Sequence, residues 1–275
     1  MPVVKTTGAT ATELYYQDLG QGKPVVMIHG WPLSHRMWEA QTNVLTEAGY
    51  RCVAYDRRGF GESGRPTGGY DYDTLASDLN DLMTMLDLRD AVLVGFSMGG
   101  GEVARYLGRY GSDRVSKAML LGAVTPFLLK TTDNPVGVDK AVFDGMLEGV
   151  KKDRIGFLNQ FFPNFYNADS DSTAVGPDLI PFSKWIAWAA SPLGTQQCIR
   201  AFGLTDFRED LKKISVPTLI VHGDSDRIVP LELSGKRSHE MIRGSRLEVL
   251  KDAPHGFAAT HPQALNALML DFLRS

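Results

Sequence analysis

Six short apolar runs limit how this chain can fold: Val25-Val26-Met27-Ile28, Cys52-Val53-Ala54-Tyr55, Ala91-Val92-Leu93-Val94, Ala118-Met119-Leu120-Leu121, Thr218-Leu219-Ile220-Val221 and Leu247-Glu248-Val249-Leu250. Their hydrophobicity is near-continuous rather than alternating, the pattern of strands covered on both faces in a parallel sheet. Helical periodicity lies between them. Asp73 to Leu86 repeats apolar residues at three and four (Leu75, Leu79, Leu82, Leu86), and Gly101 to Tyr110 does so more weakly. Strand-helix alternation predicts an α/β fold, a mostly parallel sheet with helices on both faces. At 275 residues the chain is within reach of a single core.

The alternation stops between about Thr125 and Phe202. No strand-like run occurs there, and Pro135, Pro163, Pro177, Pro181 and Pro192 fall among helical stretches. Eight of the thirteen Phe and two of the four Trp lie in this segment. An apolar helical insertion between two strands predicts a cap over the carboxyl edge of the sheet, where open α/β sheets bind ligands. Residues 1–124 and 203–275 are then one discontinuous core domain, and residues 125–202 the helical cap.

Composition narrows the function. A net charge of -3 provides no basic field for a phosphate backbone, so nucleic acid is not an expected partner. The longest charge-free apolar stretch, Ala118 to Leu129, is too short to span a bilayer, so no membrane is expected either. Met1 to Gly8 has no signal-peptide core. The two cysteines, Cys52 and Cys198, lie far apart and read as buried thiols of a reducing compartment. A cytoplasmic location is the expectation. No H-E-x-x-H, Cys/His cluster or carboxylate set suggests a metal or haem, so no cofactor is expected. Gly59-Phe60-Gly61-Glu62-Ser63-Gly64 spells G-x-G-x-x-G, but Arg65-Pro66 follows where a dinucleotide site needs a helix to open.

Gly95-Phe96-Ser97-Met98-Gly99 matches G-x-S-x-G, directly after a strand and leading to a helix expected to begin near Gly101. Small neighbours allow so sharp a turn, which lifts the Ser97 hydroxyl into the open. A serine hydroxyl needs a base, and the base needs an orienting acid. His255, in Asp252-Ala253-Pro254-His255-Gly256-Phe257 just after the last strand, is the expected base. His29 and His222 precede Gly at strand ends and read as structural, while His35, His239 and His261 read as surface residues. For the acid, His222-Gly223-Asp224-Ser225-Asp226-Arg227 follows a strand, and either Asp224 or Asp226 could point at His255; the other would hold the turn through backbone amides.

On these motifs, together with His29-Gly30-Trp31-Pro32 and Asp56-Arg57-Arg58-Gly59-Phe60-Gly61, the chain resembles the bacterial arylesterases and cofactor-free (non-haem) haloperoxidases, or perhydrolases, of the α/β-hydrolase superfamily. The resemblance covers nearly the whole length and implies an eight-stranded sheet. It also implies Asp226 as the acid, and the backbone amides of Trp31 and Met98 as the oxyanion hole. The activity implied is hydrolysis of small apolar or aromatic esters, with hydrogen peroxide able to replace water and short carboxylic acids able to serve as acyl donors. Pro32, next to the oxyanion residue, matches the perhydrolytic members. Phe127, Leu128, Phe143, Phe161, Phe165, Trp185 and Ile228 are the pocket candidates. The same triad would serve a lactonase or γ-lactamase, and a receptor without turnover could keep it intact. Members of the family are often oligomeric, which leaves a homo-oligomer open.

Overall fold

The structure is a computed structural model that describes residues 2–169 and 175–275. Eight strands form one sheet: β1 (Val3–Lys5), β2 (Glu13–Leu19), β3 (Pro24–Ile28), β4 (Arg51–Tyr55), β5 (Ala91–Phe96), β6 (Val115–Leu121), β7 (Thr218–Gly223) and β8 (Arg246–Leu250), in the order β1-β2-β4-β3-β5-β6-β7-β8. From β4 to β8 every pairing is parallel; β1 with β2 and β2 with β4 are antiparallel. β5 and β7 are buried at every residue, as their continuous apolar runs predict.

Two strands lack such a run. β1 and β2 form an antiparallel hairpin at one end of the sheet, with β1 as the edge, and each has a single buried residue, so neither carries a core-strand signature.

The helices are α1 (Glu39–Glu47), α2 (Tyr72–Met85), α3 (Met98–Tyr110), α4 (Lys140–Phe165), α5 (Leu179–Trp188), α6 (Pro192–Leu204), α7 (Arg208–Leu211), α8 (Gly235–Met241), α9 (Phe257–Thr260) and α10 (Pro262–Arg274). Asp71 caps α2 by accepting from the Thr74 amide at 2.9 Å, and Leu75, Leu79 and Leu82 on its inner face are buried. α2 and α3 pack together, and α1 packs against α10. α3 begins at Met98, directly after Ser97, rather than near Gly101. Its three consecutive glycines are poor helix formers, and close packing overrides their propensity: a Cβ on Gly100 would lie 2.4 Å from the Ala123 Cβ.

Between β6 and β7 the chain builds α4, α5 and α6, with isolated bridges at Leu129–Val138 and Thr131–Asn134. α4 packs on both α5 and α6 and is interrupted at Asp153. α6 continues to Leu204, beyond the boundary expected at 202. No helix among the described residues is long and apolar enough to cross a membrane.

Candidate active site

Four parallel strands deliver side chains to one edge of the sheet. Trp31 follows β3, Ser97 follows β5, Asp226 follows β7 and His255 follows β8, as expected for the carboxyl edge of an open α/β sheet.

Ser97 has φ 53° and ψ -117°, a left-handed conformation that costs an L-residue about 1–3 kcal/mol. Its surroundings enforce it. A Cβ on Gly95 would lie 2.4 Å from the Gly99 carbonyl oxygen, and one on Gly99 would lie 2.4 Å from the Ile28 carbonyl oxygen. The Ser97 amide donates to the Leu121 carbonyl at 2.8 Å, while its own carbonyl accepts from Gly100 at 3.0 Å and Val124 at 3.2 Å. The strained residue is thus tied into β6 and α3.

Ser97 Oγ lies 2.9 Å from His255 Nε2, and His255 Nδ1 lies 2.6 Å from Asp226 Oδ2. The nitrogen facing the carboxylate carries the proton, which leaves Nε2 free to accept from the serine hydroxyl. The His255 ring is held between Phe96, with centroids 5.0 Å apart, and Phe165, perpendicular at 4.9 Å.

Asp226 does two jobs at once. Oδ2 meets His255, while Oδ1 accepts from the amides of Ile228 (2.9 Å) and Val229 (2.8 Å). His222 Nε2 lies 2.7 Å from the Val229 carbonyl and 3.3 Å from Asp226 Oδ2. Burial pushes the Asp226 carboxyl up, but the adjacent His255 and the bond from His222 outweigh it and hold the group well below the usual carboxylate range. Asp224 is exposed and accepts from the Ser225 hydroxyl at 3.0 Å. The expectation that the aspartate not serving as the acid, Asp224, would hold the turn is corrected, because Asp226 bonds the turn amides itself.

The two expected oxyanion residues flank Ser97. The Gly30 Cα is close enough that a Cβ there would stand 3.1 Å from the Ser97 Cβ, and Trp31 shares a cavity with Ser97. Met98 is the first residue of α3, where amides have no partner within the helix. The Trp31 indole donates to the Thr195 carbonyl at 3.0 Å, so α6 fixes its side chain. Pro32 is buried beside it, after a cis Trp31-Pro32 bond, and does not line the cavity.

That cavity measures ≈ 80 Å³ and has Ser97 and His255 in its wall. Of the pocket candidates, Leu128, Phe143, Phe161 and Ile228 line it. Three do not. Phe127 is buried under the Arg208 guanidinium at 5.2 Å. Phe165 backs His255 and borders a second cavity of ≈ 200 Å³ between α5 and α9. Trp185 is 54% exposed, stacked on Phe182 and covered by Arg36, because the apolar side of α5 that carries it turns outward. Besides Trp31, the remaining walls are Val124, Val138, Val142, Met146, Phe202 and Val229, none of which lies in a motif. The i, i+4 spacing of Val142 and Met146 on α4 is the sequence signal for two of them, whereas Val138 lies before the helix, bridged to Leu129.

Among the other histidines, His35 corrects its expected surface position. It is buried, with its amide 2.7 Å and its Nδ1 2.9 Å from Asp56 Oδ1. Cys52 and Cys198 are both free and buried.

Comparison with known proteins agrees with this architecture. The profile of the alpha/beta hydrolase fold matches residues 23–262. A putative non-haem chloroperoxidase of Synechocystis sp. is 52% identical over 95% of each chain. A bifunctional esterase/perhydrolase of Acinetobacter calcoaceticus is 39% identical, over 98% of this chain and 99% of its own. The crystal structure of a bromoperoxidase from Bacillus anthracis superposes with a TM-score of 0.96 at 50% identity, covering 100% of this chain and 99% of that one. The chain belongs to the α/β-hydrolase family.

Proposed function

We propose that this protein is a serine esterase for small apolar or aromatic esters that also carries out perhydrolysis. The observation that carries the reading is the unbroken chain from Ser97 Oγ through His255 to Asp226 at the wall of an apolar cavity. Ser97 attacks the ester carbonyl as His255 Nε2 takes its proton, and the Trp31 and Met98 amides hold the oxyanion. His255 returns the proton to the leaving alcohol and then activates water, which releases the acid and restores Ser97. Asp226 keeps the proton of His255 on Nδ1 and stabilises the imidazolium. Residues 125–202 act as the cap that makes the site apolar.

In perhydrolysis, hydrogen peroxide attacks the acyl-enzyme instead of water; its O–O bond survives, and a peracid leaves that can oxidise halide in solution. The esterase/perhydrolase and chloroperoxidase relatives support this second nucleophile. Pro32 has no N–H and restricts the backbone beside Trp31, which supports a role in admitting peroxide.

Turnover of excess p-nitrophenyl acetate by wild type and Ser97→Ala tests the reading. Many turnovers, lost in the variant, are expected. Turnover surviving in Ser97→Ala would overturn the assignment of the nucleophile, and no turnover by either protein would favour a lactone or amide specialist or a receptor. With peroxide and acetate present, Pro32→Leu is expected to lower the ratio of peracid to hydrolysis.

A further inference from the structure

Behind the triad lies a buried ion pair that the catalytic cycle does not use. Arg57, just past the end of β4, and Glu102, within α3, are both fully buried, and the Arg57 Nε donates to Glu102 Oε1. The other Glu102 oxygen accepts from the Tyr55 hydroxyl at 2.6 Å.

What else Arg57 touches gives the pair its meaning. A terminal nitrogen of its guanidinium donates to the His29 carbonyl at 2.6 Å, and its backbone amide donates to His29 Nε2 at 3.0 Å. Because Nε2 accepts, the His29 proton sits on Nδ1, which is 2.9 Å from the Gly30 carbonyl. That carbonyl also accepts from the Leu33 amide at 2.9 Å. The carbonyls of the two residues before Trp31 are therefore fixed, and the direction of the Trp31 amide with them. Glu102 stands one helical turn after Met98, the residue that offers the second amide, and the Tyr72 hydroxyl ties down the Met98 carbonyl at 3.0 Å.

We infer that Arg57 and Glu102 are positioning residues that hold the loop bearing Trp31 and the helix bearing Met98 in one fixed relation, so that both oxyanion amides point at the same atom. The inference rests on the proposed serine esterase reading. A buried ion pair contributes little net stability over an apolar pair of the same shape, so its use here is geometric. Oxyanion donors repay geometry steeply, because they act only when aimed at the position the charged oxygen will occupy.

The test compares wild type, Arg57→Lys and the double variant Arg57→Met/Glu102→Leu, with Ser97→Ala in parallel, by kcat and KM for p-nitrophenyl acetate well below each Tm. Lysine keeps the charge but cannot serve Glu102 and the His29 carbonyl as a fork does. The double variant strands no buried charge and so guards against misfolding. In both, kcat is expected to fall about 10- to 100-fold with KM within about threefold of wild type, the signature of an interaction realised in the transition state. The preference for the ester over its thionoester, whose larger sulfur fits an oxyanion hole poorly, is expected to narrow as well. Wild-type kcat and an unchanged preference in either folded variant, whatever its Tm, would overturn the inference. Turnover surviving in Ser97→Ala would instead overturn the esterase reading beneath it.

Discussion

At the scale of single residues, the site works by giving each group more than one constraint. Ser97 is strained and bonded on three sides through its backbone, and His255 is held by ring contacts on both sides and by bonds at both nitrogens. Asp226 is the most heavily committed. Asp226→Asn keeps an acceptor for the Ile228 and Val229 amides but no longer enforces the tautomer of His255, so kcat for p-nitrophenyl acetate should fall by about 10³- to 10⁴-fold in a folded protein. Asp224→Asn, at an exposed position whose carboxylate accepts from the Ser225 hydroxyl, should leave kcat within about twofold, since the carboxylate that meets His255 is that of Asp226. Equal losses in the two variants would contradict the assignment. Ser97 and His255 are legible in the sequence because each sits in a local motif next to a strand. The choice between Asp224 and Asp226 is not, because it depends on which carboxylate the turn amides of 228 and 229 capture, and only the resemblance to a family separates the two.

At the scale of elements, α4 does most to shape the cavity. Val142, Phe143 and Met146 from its first half and Phe161 from its second stand in the wall, while Phe165 at its end backs His255. With only ≈ 80 Å³ beside Ser97, acyl groups of a few carbons fit as the site stands. Phe143→Ala should therefore raise kcat/KM for p-nitrophenyl hexanoate relative to the acetate by about tenfold, at the expense of about 3–5 kcal/mol of stability for the emptied volume. An unchanged chain-length preference in a folded variant would show that Phe143 does not limit the acyl group. That an aromatic-rich helical segment lies here can be read from composition, but its inward face cannot be read reliably from aromatics alone. Trp185 and Phe127 look as apolar as Phe143 and Phe161. Trp185 stands on the outward side of α5 beneath Arg36, and Phe127 packs beneath Arg208, each meeting a cation instead of the cavity.

At the scale of the whole molecule, the parallel centre of the sheet is legible because β3, β5 and β7 are near-continuously apolar and buried, whereas β1 and β2 each bury a single residue and leave no such run. The same burial that makes the centre legible has a cost in acid. His29, at the end of β3, is lowered from 6.5 to about 3 by burial first and by the charge of Arg57 second. Between those values the unfolded chain binds a proton that the folded protein refuses, so stability is complete above pH 6.5 and is lost as pH falls toward 3. From pH 7 to pH 5 this one group should remove about 2 kcal/mol of unfolding free energy. His29→Gln, which keeps an acceptor for the Arg57 amide, should flatten the dependence by about that amount in urea titrations at the two pH values. Parallel pH profiles for the two proteins would mean that His29 is not what makes the fold acid-sensitive.

The central claim is that Ser97 is the nucleophile, and labelling tests it most directly. Incubation with an excess of diethyl p-nitrophenyl phosphate, followed by proteolysis and mass spectrometry, should find one diethylphosphoryl group on the peptide containing Ser97, in step with the loss of esterase activity. Full inactivation with the label on another residue, or activity that persists after Ser97 is fully labelled, would contradict it.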